Sequence, residues 1–113
     1  MSRATFTENL ASLPEVSHLA GLNLLDSTGH TVATLLNQPG TAGSVRVYAA
    51  LAARFGVLNS EAAQAGIALY AEHGTDAAAN PGKHPNIDRL FAVVQGKQGP
   101  LDVMLLPITP TAP

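Results

Sequence analysis

Two stretches of this chain gather the residue types that do chemistry. The first, Glu72–Arg89, reads EHGTDAAANPGKHPNIDR and brings two histidines, three carboxylates, two asparagines and two basic residues around a Pro-Gly turn. If His84 stands just before a helix and Asp88 one turn inside it, the i, i+4 spacing sets both on one side. His73 or Asp76, from the end of a preceding helix, can join them. Imidazole and carboxylate together form a donor set for zinc or another first-row divalent ion. The same residues also suit a purely structural role, with His84 capping the helix and Asp88 complementing its positive end. Their spacing matches neither the paired-histidine zinc-protease motif nor a calcium loop.

The second stretch, NQPGTAGS from Asn37 to Ser44, is punctuated by Pro39, Gly40 and Gly43 and stands directly before an apolar periodic segment. Free backbone N–H groups at a helix start can receive an anion, so Gly40, Gly43, Ser44 and the neighbouring Arg46 are the candidate anion-binding set. The Lys-Ser/Thr ending of a phosphate loop and the glycine spacing of a dinucleotide fingerprint are both missing, and a plain strand-to-helix connection is the competing role. Other chemistry is thinly supported. Ser17, Ser27, Ser44 and Ser60 lack the context of a nucleophile elbow, while His18 falls in a strand pattern and His30 in a turn.

The elements that must position these residues follow from periodicity. Thr5 followed by Glu8 is a capping-box pair for a short helix carrying Phe6, Leu10 and Leu13, before Pro14 ends it. From Val16 to Leu25 an extended pattern places His18, Ala20, Leu22 and Leu24 on one face, with Gly21 a candidate bulge. The DSTGH turn, Asp26 to His30, leads into Thr31–Leu36, and the two strands should form an antiparallel hairpin. Ser44 is expected to cap a helix bearing Val45, Tyr48, Ala52 and Phe55, stopped by Gly56. Asn59 or Ser60 starts another helix running to about Gly74, in which Gly66 costs about 1 kcal/mol of helix propensity unless it serves close helix contact. Thr75–Pro85 is expected to hold one helical turn and a loop. Pro85 then opens an amphipathic helix with Ile87, Leu90, Phe91 and Val94. Leu101–Leu106 is a final strand, and Pro107 with the tail TPTAP points to an edge or terminal location. The two tyrosines are expected on helix faces with their hydroxyls turned outward.

Composition narrows the classes of function. The 113 residues suit one domain, 1–113, and 12% charged residues is low for a soluble protein, while the net charge is −2. The basic residues Arg3, Arg46, Arg54, Lys83, Arg89 and Lys97 are scattered, which argues against a nucleic-acid face. No window approaches the about 18 apolar residues of a membrane span, and the first residues lack a signal-peptide core, so a cytoplasmic location is expected. Absence of cysteine removes disulfides and thiolate chemistry. The low charge leaves much neutral surface, some of which self-association would cover.

The segments GLNLLDSTGHTVATLLNQPGTAGSVRVYAALAARFG and ALYAEHGTDAAANPGKHPNIDRL resemble a small bacterial family of uncharacterised single-domain proteins, over roughly Gly21 to Leu90. The resemblance implies a bacterial, cytoplasmic, single-domain protein and transfers no catalytic role to any residue. The expected architecture is α+β, a small, mostly antiparallel three-stranded sheet made of the hairpin and the C-terminal strand, packed against three to four helices. The expected function is that of a soluble binding or protein-interaction module, with a small anionic ligand and self-association as its partners and no cofactor implied. The alternative is a metal-dependent hydrolase using His73, Asp76, His84 and Asp88.

Overall fold

The computed structural model describes residues 4–108, and the TPTAP tail, Thr109 to Pro113, lies outside them. A short helix α1 (Phe6–Ala11) begins where expected. Thr5 Oγ1 accepts the Glu8 N–H (3.2 Å) while Glu8 Oε1 accepts the Thr5 N–H (3.0 Å), which closes the capping box. Strands β1 (Leu19–Leu25) and β2 (Thr31–Leu36) pair antiparallel around the DSTGH turn. Asp26 fixes that turn: its Oδ1 accepts from the Thr28 and His30 amides, each at 3.0 Å, and Gly29 takes the left-handed position at φ 85°.

Strand β3 (Asp102–Pro107) lies antiparallel on the other side of β1, giving the order β2-β1-β3. The sheet is therefore antiparallel throughout, and β3 is an edge strand. The extended reading from Val16 is corrected at its start, because β1 begins only at Leu19. Its register against β3 slips between Leu19 and Gly21, the expected bulge. That slip turns Leu19 inward with Leu22 and Leu24 and leaves Ala20 exposed, breaking the simple alternation. Gly21 is required there, since a Cβ would collide with the carbonyl oxygen of Leu35.

Between the hairpin and β3 run four helices: α2 (Ala42–Phe55), α3 (Ser60–Tyr70), α4 (Glu72–Ala79) and α5 (Pro85–Val94). With α1 the described residues hold five helices, more than the three to four expected. The extra one arises because the segment expected as a single helix to Gly74 breaks at Ala71, which adopts φ 51°. Past the break, Gly74 packs so tightly on α3 that a Cβ would sit 3.1 Å from the Ile67 carbonyl oxygen. What was expected as one helical turn from Thr75 is thus the second half of α4.

Asn59 caps α3 by accepting the Ala62 N–H (2.9 Å). Pro85 occupies the first position of α5. The small residues of α3 face its neighbours in the same chain: a Cβ on Gly66 would lie 2.7 Å from Leu51 Cδ1 of α2 and 2.8 Å from Leu90 Cδ1 of α5. One core cluster joins the inner sheet face to Tyr48, Leu51, Ile87 and Leu90. A two-bond bridge between Leu58 and Leu101 leads the chain back into β3.

Candidate functional site

The site forms where the start of α2 meets the α4–α5 connection. The helix α2 begins earlier than expected, with Thr41 at the N-cap position in place of Ser44. Thr41 makes no side-chain cap; its hydroxyl donates to the Leu36 carbonyl and ties the loop back to β2. The Ala42 amide bonds Gln38 O (2.8 Å) and the Val45 amide bonds Thr41 O (3.1 Å). Among the described residues the Gly43 and Ser44 amides between them have no acceptor. Two open N–H groups are thus left at the positive end of a fourteen-residue helix.

Ser44, freed from the capping role, lies inside the helix and accepts a 2.7 Å hydrogen bond from the Tyr70 hydroxyl. Tyr70 is buried, and burial pushes its hydroxyl well above the usual phenol range. The outward hydroxyl expected of both tyrosines is corrected: the Tyr48 hydroxyl also turns inward, donating to the Asn86 carbonyl and accepting from Arg89 Nη1 at 3.2 Å. Burial raises Tyr48 as well, against the opposing pull of the Arg89 charge.

Phe6 of α1 forms the wall above Ser44. Its ring stacks on Tyr70 (centroids 5.2 Å apart, planes 15° apart) and meets His73 edge-on at 5.0 Å. Gly43 permits this approach, because a Cβ there would sit 3.1 Å from the Phe6 ring. Helix α1, with no buried residue of its own, is held in place from α3 and α4. Glu72 Oε1 accepts the Phe6 N–H (2.9 Å), which lowers the Glu72 carboxyl below its usual range, and Asn9 Nδ2 donates to Leu69 O (3.0 Å).

His84 stands at the N-cap of α5 without a side-chain cap bond. Its Nε2 lies 2.6 Å from Asp76 Oδ2, the oxygen that Lys83 Nζ also approaches at 3.0 Å, while Asn80 Nδ2 donates to Asp76 Oδ1 at 3.0 Å. The His84 bond first, and then that of Lys83, bring Asp76 down to about 2. Asp76 is therefore an anion at neutral pH and can only accept, which places the ring proton of neutral His84 on Nε2. Its Nδ1 is left as a lone pair without a partner among the described residues. The side chain is 25% exposed, and the His73 ring lies 5.8 Å away.

Of the sequence candidates, Gly40, Gly43, Ser44, His73 and His84 line one cleft of about 550 Å³ together with Phe6, Tyr70 and Lys83. The two chemistry-bearing stretches, distant along the chain, thus share a single wall-to-wall space. Asp76 is not among the lining residues and acts by holding His84 and Lys83. Two other candidates point elsewhere. Arg46 donates from Nε to Pro14 O (3.1 Å) and from Nη2 to Leu13 O (2.6 Å), fastening the α1–β1 connection. Asp88 accepts the Gly82 N–H at 2.8 Å, closing the turn before α5. Among the described residues no group of three or more His, Cys, Asp or Glu side chains is arranged to hold a metal ion.

A larger depression of about 1080 Å³ lies between α1, α3, α4 and α5. Its lining holds four alanines, Gly74, Ile67 and Phe91; of its polar side chains, Thr5, Asn9 and Glu72 already serve α1, which leaves the lone hydroxyl of Thr75. Convergent polar groups, rather than size, single out the smaller cleft. Sequence reasoning passed over Phe6, Tyr70 and Lys83 as members of the site. Only Lys83 carried a local signal, since it stands beside His84 in the turn that the histidines flank.

The fold and the cleft define a small α+β domain with one recess bordered by the start of α2, Phe6, Tyr70 and the α4–α5 connection. The chain belongs to the DUF2322 family, described as uncharacterised protein conserved in bacteria, whose model matches residues 6–103. No curated protein and no solved structure gives a significant match to it. Among the described residues no helix is long and apolar enough to cross a membrane.

Proposed function

We propose that this protein is a binding module for a small anion of the phosphate class, received in the cleft at the start of α2. The observation that carries the reading is convergence. The acceptor-free amides of Gly43 and Ser44, the ammonium of Lys83 and the imidazoles of His73 and His84 border one recess. Asp76, the carboxylate that touches His84 and Lys83, is engaged by three side chains. Tetrahedral oxyanions suit such a set, because several donors can each meet a different oxygen. The hydrolase alternative draws less support: Asp88 is committed to Gly82, and one His84 nitrogen to Asp76.

Calorimetric titration with inorganic phosphate tests the reading. Binding that weakens as salt rises, and weakens further in Lys83→Ala, is expected. Heat of binding absent from the wild type at low salt would overturn it.

A cytoplasmic location and self-association belong with this proposal. For self-association the support is the outer sheet face, where Val32, Leu36 and Met104 are 41%, 49% and 45% exposed. Three strands about 4.8 Å apart and about 20 Å long span roughly 300 Å². A stable interface takes about 800 Å² per partner, so pairing of two copies through this face is expected to be transient.

A further inference from the structure

We propose that His84 is a phosphoryl-acceptor histidine, taking a phosphoryl group on Nδ1 from a small energy-rich donor such as a phosphoramidate or an acyl phosphate. The inference rests on the cleft's reception of phosphate oxygens, and goes beyond it to a covalent step.

Three features of His84 meet the needs of that step. Its nucleophilic nitrogen is defined: in the neutral ring the 2.6 Å bond to Asp76 sets the proton on Nε2, so the lone pair is on Nδ1, and no residue described competes for it. The ring is oriented by a carboxylate that is itself fixed from both sides, by Asn80 at Oδ1 and by Lys83 at Oδ2. The acceptor also has a place for the group it would carry. His84 lines the same cleft as Gly43 and Ser44 of α2 and stands at the N-terminus of the ten-residue α5. There Asn86 supplies an N–H without a backbone acceptor among the described residues.

The step balances. The Nδ1 lone pair attacks phosphorus and a nitrogen–phosphorus bond forms as the bond to the donor's leaving atom breaks. The leaving group departs with that electron pair, as ammonia from phosphoramidate or as a carboxylate from an acyl phosphate. With both nitrogens substituted the ring becomes cationic, and Asp76 supplies the facing negative charge. Lys83 lines the same cleft, and its ammonium, now on Asp76, is the formal cation there for the phosphoryl oxygens. No oxidant or metal enters the balance.

His18 and His30 provide an internal reference, since both are exposed and outside the cleft. The whole protein is incubated with phosphoramidate at neutral pH, and acid-labile mass gain is located by peptide mapping under alkaline conditions. His84 is expected to label at least about tenfold faster than His18 or His30, and Asp76→Asn to slow His84 by a similar factor. His84→Gln should abolish the fast phase. Equal labelling of the three histidines in the wild type would overturn the inference whatever the variants do, as would fast labelling that survives His84→Gln. Phosphate binding in the cleft without fast labelling would overturn this inference and leave the binding reading standing. Fast labelling of His84 in a protein that binds no inorganic phosphate would support the acceptor role and overturn the binding reading.

Discussion

Replacing Gly66 with alanine sets two effects of opposite sign against each other, and the structure decides between them. An exposed helical glycine changed to alanine gains about 1 kcal/mol from helix propensity. At position 66 the new methyl would lie 2.7 Å from Leu51 Cδ1 and 2.8 Å from Leu90 Cδ1, closer than carbon atoms pack. Both leucines are themselves buried, at 2% and 0% exposure, so neither can swing into solvent. Overpacking of a filled core costs about 1–3 kcal/mol. Subtracting the propensity gain leaves a net loss of about 0–2 kcal/mol, centred near 1, which for a domain of this length lowers the melting temperature by roughly 3–6 °C. Urea unfolding of Gly66→Ala, Leu90→Ala and the double variant provides the assay. Removing the Leu90 methyls should make room for the methyl added at position 66, so the double variant should be more stable than the sum of the single losses. Stabilisation of the single Gly66→Ala variant by about 1 kcal/mol would refute the claim that α2, α3 and α5 meet at Gly66.

Two further outcomes follow from the buried and charged groups. Asp76 titrates at about 2 in the folded chain against 3.8 when unperturbed, so its contribution is complete above 3.8 and is lost as pH falls towards about 2. The stability gap between wild type and Asp76→Asn should therefore close across that window in acid unfolding curves. Tyr70 keeps its proton in the folded state where the unfolded chain loses it, so stability should fall above pH ~10. In Tyr70→Phe that alkaline loss should shrink, while at neutral pH the missing bond to Ser44 should cost about 0.5–1.5 kcal/mol in urea unfolding.

The parts of the fold readable from sequence were those governed by neighbours along the chain. Thr5 and Glu8 close their box across three residues, Asp26 and Gly29 set the hairpin turn, and Asn59 and Pro85 start their helices. Elements decided by tertiary packing were not readable. Ala71 sits at a backbone angle that disfavours any Cβ, so nothing in its type announces the α3–α4 break; the packing of Gly74 against Ile67 accompanies it. Ser44 has a capping side chain, yet Tyr70 claims its oxygen and the N-cap position falls to Thr41. Arg46 and Asp88 had the right chemistry at the right spacing, and distant carbonyls or a turn amide took up their bonds. Each half of the cleft could be suspected from its own residues. Their meeting depends on α1 and α3 placing Phe6 and Tyr70 between them, a contact no local pattern encodes.

Inorganic phosphate titrated into isotope-labelled protein at low salt, followed through the backbone amide resonances, tests the anion-binding cleft most directly. Saturable shifts confined to Gly43, Ser44 and the Lys83–Asn86 turn are expected, with Gly43 and Ser44 moving most because their N–H groups have no acceptor among the described residues. The same shifts should weaken as salt rises. A titration that leaves Gly43 and Ser44 unmoved, or moves them no more than the exposed amides of the β1–β2 turn, would contradict the assignment of this cleft as an anion site.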